Sequence, residues 1–469
     1  MADIYVVYAS ENVDLAEKLV ETLSQQWRDV WWDKKIVGKF RKIIEKKLPQ
    51  SGCVIAINSA LARDKDTYAE ELRLADKHNI EILPIRLDGS ELPYPFGAYS
   101  YVDMHGWKGE EDHRGLIELK SKLALVVPPK EKPKRLLSIA GGKVILPNLF
   151  MSVSSFETQL TPLEAVRALR IFKSPSILVS AYDLVKRNKK IPYELIDEIA
   201  KYRESGGFVL MDSGNYEKSR FASNGWNRDK LREALTSVHS DWSFCFDVMK
   251  PSDNPESAVN EIIGAVNRDK EHTNSSVIPI VHAPKLKPIG HKLDHIPMVI
   301  RKISEKLKPP LIAIPERELG AGIIARAKMV QIIRKELDGL PYYQPLHILG
   351  TGNPWSIAVL TAAGADTFDG LEWCRMAVDR SKNRLHHFQH YDLFKYQAEH
   401  ADSSIARDAY DDPGVDYAGK VAFHNLDYFT YYINKLREYA RDKMESFLLR
   451  TIDSDTTDQI REEISGIFK

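Results

Sequence analysis

The stretch LHILGTGNPWSIAVLTAAGADTFDGLEW, residues 346–373, decides the fold. LHILG reads as a short apolar strand that ends on a glycine turn. A helical run follows, and TFDGLEW is β-forming again. Two strands joined by a helix lie parallel in one sheet. Outward from this unit the same alternation recurs. SILVSA (176–181), FVLMD (208–212), FCFDVM (244–249), VIPIVHA (277–283) and LIAIP (311–315) read as further strands, with helical stretches between most of them. Seven or eight such units over roughly 300 residues fit a (β/α)8 barrel better than an open sheet. Asp212, Asp247, Glu316, Gly350 and Asp369 fall at or near strand C-terminal ends, where such barrels carry their active sites.

Upstream, VVPPKEKPKRL (126–136) has three prolines and four basic residues in eleven positions. Proline removes backbone donors and resists helix and sheet interiors, so this stretch reads as a linker. The expected organisation is a first domain over 1–127, a linker over 128–136, the barrel over 137–448 and a helical tail over 449–469. The first domain also alternates. DIYVVYAS (3–10), DVWWD (29–33), CVIAIN (53–58) and IEILPIRLD (80–88) read as strands. The segments 12–26, 40–50 and 67–79 read as helices, which implies a second parallel α/β sheet.

Composition narrows the function. The 66 basic and 66 acidic side chains of the 469 residues leave no net charge, which excludes an overall basic nucleic-acid binder but not a local patch. Cys53, Cys245 and Cys374 are far apart, so neither a disulfide framework nor a cluster of cysteine ligands is expected. No apolar run reaches membrane-spanning length, and a cytoplasmic location is expected.

Two places carry possible chemistry. Glu70 and Glu71 sit on a helix that starts beside the C-terminal edge of the first sheet, where open α/β sheets bind ligands. A carboxylate there can hold a ribose hydroxyl or steady an oxocarbenium-like centre. It can equally serve only the helix dipole. In the barrel, MDSGNYE (211–217), FDVMKPSD (246–253) and the 346–373 unit end strands with Asp212, Asp247 and Asp369. Any one aspartate serves a turn as readily as a reaction. Three at three strand ends favour a site. The Gly350–Gly352 loop lacks the third glycine of a dinucleotide fingerprint but precedes a helix, as phosphate-holding loops do. The basic run RSKNRLHH (380–387) is either a solvated face or a phosphate contact.

Residues 1–125 resemble a bacterial Toll/interleukin-1 receptor (TIR) domain. The likeness rests on the first strand with Tyr8 and Ser10, the WWD strand end, the DKKIVGKF loop and the helix bearing EELRLA. It implies a flavodoxin-like fold, self-association, and cleavage of NAD+ at the nicotinamide–ribose bond. Glu71 takes the place of the catalytic glutamate, and Tyr8, Ser10, Trp32 and Lys39 match pocket-lining regions. Thr67 stands where many members have tryptophan.

Residues 138–445 resemble the tRNA-guanine transglycosylases, which are (β/α)8 TIM barrels. The family patterns D-S-G-G-F/Y-Q, H-x-x-G-x-G-x-P and G-x-D-x-F-D appear as DSGNYE (212–217), HILGTGNP (347–354) and GADTFD (364–369), and a late helix opens with HNL at 424. The resemblance implies exchange of a guanine in nucleic acid for a 7-deazaguanine-type base. Asp369 is then the nucleophile at the ribose C1′ and Asp212 the general acid/base. Ser213, Asp247, His282, Gly350 and Gly352 take base-binding places. This sequence departs at Asn215 for glycine, Glu217 for glutamine and His282 for the glutamine that recognises the base. Of the family's zinc ligands only His424 is matched. His386, His387, His390 and His400 are the alternative donors, and zinc is not expected.

The combination implies a TIR effector of antiphage-defence type, with NAD+ as substrate and the barrel as a sensor of tRNA, DNA or a modified base. The rival expectations are a base-exchange enzyme acting on tRNA or DNA, and a recognition module with a scaffolding TIR domain.

Overall fold

The computed structural model describes residues 3–32, 40–131, 133–185, 192–221, 225–286, 289–440 and 442–468; the side chains of 40–42 are not described. The chain falls into two compact units, residues 1–142 with 338–343, and residues 143–337 with 344–469.

In the first unit five parallel strands, β1 (Ile4–Val7), β2 (Val30–Trp31), β3 (Cys53–Asn58), β4 (Glu81–Arg86) and β5 (Val102–Asp103), lie in the order β2-β1-β3-β4-β5. This is the flavodoxin-like order. The central strand β3 is buried along its whole length, as a parallel strand covered on both faces must be. The period of two divides β1 between two cores. Ile4 and Val6 pack on one face with Trp27, Trp32 and Leu119, and Tyr8 lies against that core. Tyr5 and Val7 pack on the other with Trp31, Tyr68 and Leu72.

In the second unit a short antiparallel ribbon, β6 (Ser138–Ile139) and β7 (Val144–Ile145), precedes eight parallel strands. These are β8 (Asn148–Val153), β9 (Ser176–Ser180), β10 (Phe208–Asp212), β11 (Trp242–Phe244), β12 (Ser276–Ile278), β13 (Ile312–Pro315), β14 (Leu346–Leu349) and β15 (Thr367–Gly370). They pair in chain order, and β15 pairs with β8. The remaining gap is bridged just past β12, where Ile280 pairs with Ala313 and the Val281 N–H donates to the Ala313 carbonyl at 2.8 Å. The sheet is thus a near-closed TIM barrel. Phe150, Phe208, Phe244 and His347 come from four different strands and meet at ring distances of 5.6–6.1 Å. Contact between non-neighbouring strands is possible only through the interior, so these rings fill the barrel.

Two expectations change. The strand expected over 244–249 ends at Phe244. The Phe246 N–H is held by the Asp269 side chain at 2.6 Å, and this departure from the sheet carries Asp247 inward. Asp366, part of the GADTFD motif, has a structural role. It is fully buried, accepts from Arg334 Nη2 and from the Leu346 N–H, each at 2.9 Å, and so ties the start of β14 to the approach to β15. Arg334 also donates to the carbonyls of Gly364 and Gln344. Arg334→Ala removes the cation beside that buried carboxylate, and a loss of about 3–5 kcal/mol of stability is expected in denaturant unfolding.

Candidate functional site

A cavity of about 290 Å³ opens at the C-terminal ends of the barrel strands. Asp212, Asp247 and Asp369 all line it, with Ser213, His282 and Gly350. The strand-end positions inferred from sequence thus converge on one space.

Asp369 is held from three sides. Ser152 Oγ donates to its Oδ2 at 3.0 Å, and the Gly350 N–H donates to its Oδ1 at 2.8 Å. His347 Nε2 lies 3.1 Å from the same Oδ1, and its Nδ1 lies 2.8 Å from Thr367 Oγ1. A carboxylate restrained in this way presents a fixed face to a reacting carbon. The Gly350 N–H, read from sequence as a phosphate donor, is therefore taken by the nucleophile candidate. Gly350 makes the turn at φ +74°, a conformation that favours glycine.

Asp212 sits at the tip of β10, partly open to the cavity. Burial, reinforced by the charges of Glu217, Asp247 and Asp369, pushes its carboxyl well above the usual carboxylate range. The protonated form is favoured, as a proton donor to a leaving base requires. Glu217 is also pushed up, by burial and by Asp183, although Ser154 and Ser180 donate to its two oxygens at 2.6 and 2.7 Å.

The third aspartate belongs to a buried chain of charges. Asn215 Nδ2 donates to Asp247 Oδ1 at 2.6 Å, and His282 Nε2 to Asp247 Oδ2 at 2.7 Å. His282 Nδ1 donates to Glu318 Oε1 at 2.9 Å, and Glu318 Oε2 accepts from the Ala283 N–H. Burial works against the imidazolium, but hydrogen bonds and charge from Asp247 and Glu318 win and raise His282 to about 9. Burial likewise works to raise both carboxyls, and the imidazolium outweighs it and holds them low. His282 thus lines the cavity clamped between two carboxylates, which favour its charged form. A histidine raised from 6.5 to about 9 contributes stability that is fully present below pH 6.5 and is lost as pH rises through 9. Thermal unfolding is therefore expected to fall faster between pH 6.5 and 9 in the wild-type chain than in His282→Gln.

Gly352 does not line the cavity, but it makes room for Glu372, which does. Three arginines, Arg220, Arg317 and Arg375, also line the space. The 380–387 run forms the turn and second strand of a hairpin, β16 (Met376–Asp379) with β17 (Arg384–His387). Arg380 there is paired with the buried Asp427, a structural use of one of its charges.

Nε2 of the buried His424 donates to the Val378 carbonyl at 2.8 Å, and all three cysteines are buried and separate. No group of three or more histidine, cysteine or acidic residues capable of holding a metal occurs among the described residues.

In the first unit Glu71 is half-buried on the helix Asp66–Lys77, and Glu70 is exposed. Tyr5 donates its hydroxyl to Glu71 Oε2 at 3.4 Å, and Tyr68 packs in the same core. Among the described residues, Tyr8 and Trp32 pack on the other face of the sheet from Tyr5, which donates to Glu71. Their rings meet each other at 5.8 Å against the core on the opposite face of the sheet. Ser10 donates to the neighbouring Glu11. Lys39 lies outside the described residues. Tyr5 was missed from sequence, yet period-two alternation signals it, because Tyr5 and Tyr8 differ by an odd step and face opposite ways.

Comparison with known proteins agrees with both folds. The sequence family described as TIR domain matches residues 4–119. The barrel is similar to proteins named tRNA-guanine(15) transglycosylase. The Methanopyrus kandleri protein is 22% identical over 243 residues, 50% of this chain and 50% of that protein. The Thermococcus onnurineus protein is 20% identical over 321 residues, 68% of this chain and 53% of that one. The Pyrococcus furiosus protein is 24% identical over 249 residues, covering 52% and 40%. The chain spans about half the length of the curated relatives it matches. Residues 4–119 are thus a TIR domain, and the second unit is a barrel similar to the transglycosylases. No helix among the described residues is long and apolar enough to cross a membrane.

Proposed function

We propose that this chain acts on N-glycosidic bonds in both units. The TIR domain cleaves NAD+ between nicotinamide and ribose with Glu71, in a defence-type response. The barrel takes a base of nucleic acid between Asp212, Asp247 and Asp369, and that event governs the TIR domain. The observation that carries the barrel's part is the meeting of the three aspartates on one cavity, with Asp212 favoured in its protonated form.

In the barrel, the Asp369 carboxylate forms a bond to C1′ as the C1′–N bond breaks, and Asp212 delivers its proton to the departing base. An incoming base gives its N–H proton back to Asp212 and displaces Asp369 from C1′. The pair divides the roles of nucleophile and acid/base as carboxylates do at anomeric carbons. The altered surroundings, Asn215, Glu217 and the His282 cation, support a base other than the relatives' guanine.

In the TIR domain the argument is chemical. A half-buried carboxylate beside a tyrosine hydroxyl is suited to steady the cationic ribose left when nicotinamide departs. The test is incubation of the full chain with NAD+ and with RNA or DNA, reading free nicotinamide and free base in the same samples. Free base without nicotinamide would leave the barrel as the enzyme and the TIR domain as a scaffold.

A further inference from the structure

His347 is a polar ring in an apolar place. It is the second residue of β14, has no exposed surface, and meets the rings of Phe150 and Phe244 at 5.9 and 5.6 Å inside the barrel. A polar group buried there is costly unless its hydrogen bonds are made. Both ring nitrogens make one. Nδ1 lies 2.8 Å from Thr367 Oγ1, and Nε2 lies 3.1 Å from Asp369 Oδ1. The Thr367 hydroxyl has no other partner among the described residues, so its proton goes to Nδ1. That places the ring proton on Nε2, aimed at Asp369.

The two oxygens of Asp369 are therefore unequal. Oδ1 receives two N–H groups, from His347 and, at 2.8 Å, from Gly350. Neither donor can turn aside, because one is on a packed ring and the other on the backbone. Oδ2 receives a hydroxyl, Ser152 Oγ at 3.0 Å, which can rotate away. Ser152 lines the cavity, whereas His347 lies beneath it. Oδ2 is thus the oxygen suited to bond C1′, and Oδ1 becomes the carbonyl oxygen of the resulting ester.

Fixed donors on Oδ1 act unequally on the two halves of a base exchange. Hydrogen bonds to an ionised oxygen are roughly twice as strong as those to a neutral one. Oδ1 shares the carboxylate charge before attack and gives it up in the ester. The donors therefore hold free Asp369 more tightly than the adduct. We propose that His347 is a positioning residue that keeps the covalent adduct short-lived. As the nitrogen of the incoming base bonds to C1′ and passes its proton to Asp212, the C1′–Oδ2 bond breaks. Its electron pair returns to the carboxylate, and the N–H groups of His347 and Gly350 receive the charge that reappears on Oδ1. This rests on the reading of Asp369 as the nucleophile, and it goes further by assigning the attacking oxygen and the group that governs its release.

The test uses the full chain with end-labelled RNA and DNA hairpins of randomised loop, and guanine, adenine or 7-deazaguanine added as the free base. Adduct is read as label that stays with the chain on a denaturing gel. His347→Phe fills the same space without a donor. It is expected to hold about tenfold more adduct than wild type at equal free base, and to release it more slowly, as for the difference between hydrogen bonds to charged and neutral oxygens. His347→Gln, which keeps an N–H, is expected to bring the adduct back toward the wild-type level. Thr367→Val keeps the imidazole and loosens its tautomer. It is expected to raise the adduct by a smaller factor, and it carries the test should His347→Phe fail to fold in thermal unfolding. A residue that only packs the barrel would lower adduct and turnover together. Adduct at or below the wild-type level in the folded variants overturns the proposal, and its loss in Asp369→Asn then leaves the base-site reading standing. No adduct with any hairpin, in wild type or in the variants, overturns both.

Discussion

Glu71→Ala is expected to abolish the proposed nicotinamide release from NAD+ while the chain stays folded. The expected loss is on the order of a thousandfold or more, the scale for a group that acts only in the transition state. The effect on stability is small. The carboxyl is half-buried on a helix surface, and its described hydrogen bond, from Tyr5, is long at 3.4 Å. Such a contact contributes about 1 kcal/mol or less. Glu70→Ala is the internal control, because Glu70 is exposed on the same helix. Tyr5→Phe separates the two contributions of the tyrosine, since it removes the hydroxyl and keeps the ring stacked on Trp31 at 4.7 Å. A chain in which Glu70 is essential and Glu71 dispensable would shift the assignment by one position. A chain in which neither matters would remove catalysis from this helix.

Asp369→Asn is expected to prevent formation of a covalent adduct between the chain and nucleic acid. The amide is isosteric but a poor nucleophile, so base release should fall roughly a thousandfold or more. The cost to binding is small by comparison, because Asn keeps an oxygen for the Gly350 N–H and turns its amide N–H to Ser152 Oγ, which can accept as well as donate. Asp212→Asn is expected to act differently. It keeps the nucleophile and removes the proton donor, so an adduct forms slowly and bases with poor leaving ability suffer most. Intact-mass measurement of the chain after incubation reads both outcomes. An adduct that persists in Asp369→Asn places the nucleophile elsewhere. If no adduct forms with RNA or DNA, and Asp369→Asn still supports a triggered nicotinamide release, the barrel recognises its ligand without chemistry.

Much of this was legible from the chain alone, for identifiable reasons. Asp212 and Asp369 fall at the ends of apolar runs, where period and position both point to a barrel rim. The eighth strand, Asn148–Val153, did not stand out because Asn148, Ser152 and the preceding Pro147 break its apolar pattern; the structure buries all six residues. Glu318 lies outside any strand-end pattern. Its bond to His282 spans 36 positions, and only the closed barrel brings them together. Glu372 lies within the stretch 346–373, yet the room for its carboxyl depends on the absence of two side chains at Gly352 and Gly370. In the first unit the helix of Glu71 was legible from its amphipathic spacing. The companions chosen for it, Tyr8 and Trp32, matched by motif position, and the structure packs them on the other face of the sheet.

The central claim is that ligand capture by the barrel governs NAD+ cleavage by the TIR domain. The most direct measurement is nicotinamide release by the full chain at fixed NAD+ as RNA is titrated, with Glu71→Ala and Asp369→Asn run in parallel. The account predicts little release without RNA, a saturable rise with it, and no release from Glu71→Ala at any RNA concentration. Release from the wild-type chain that is the same with and without RNA or DNA, or none under any condition, would contradict it.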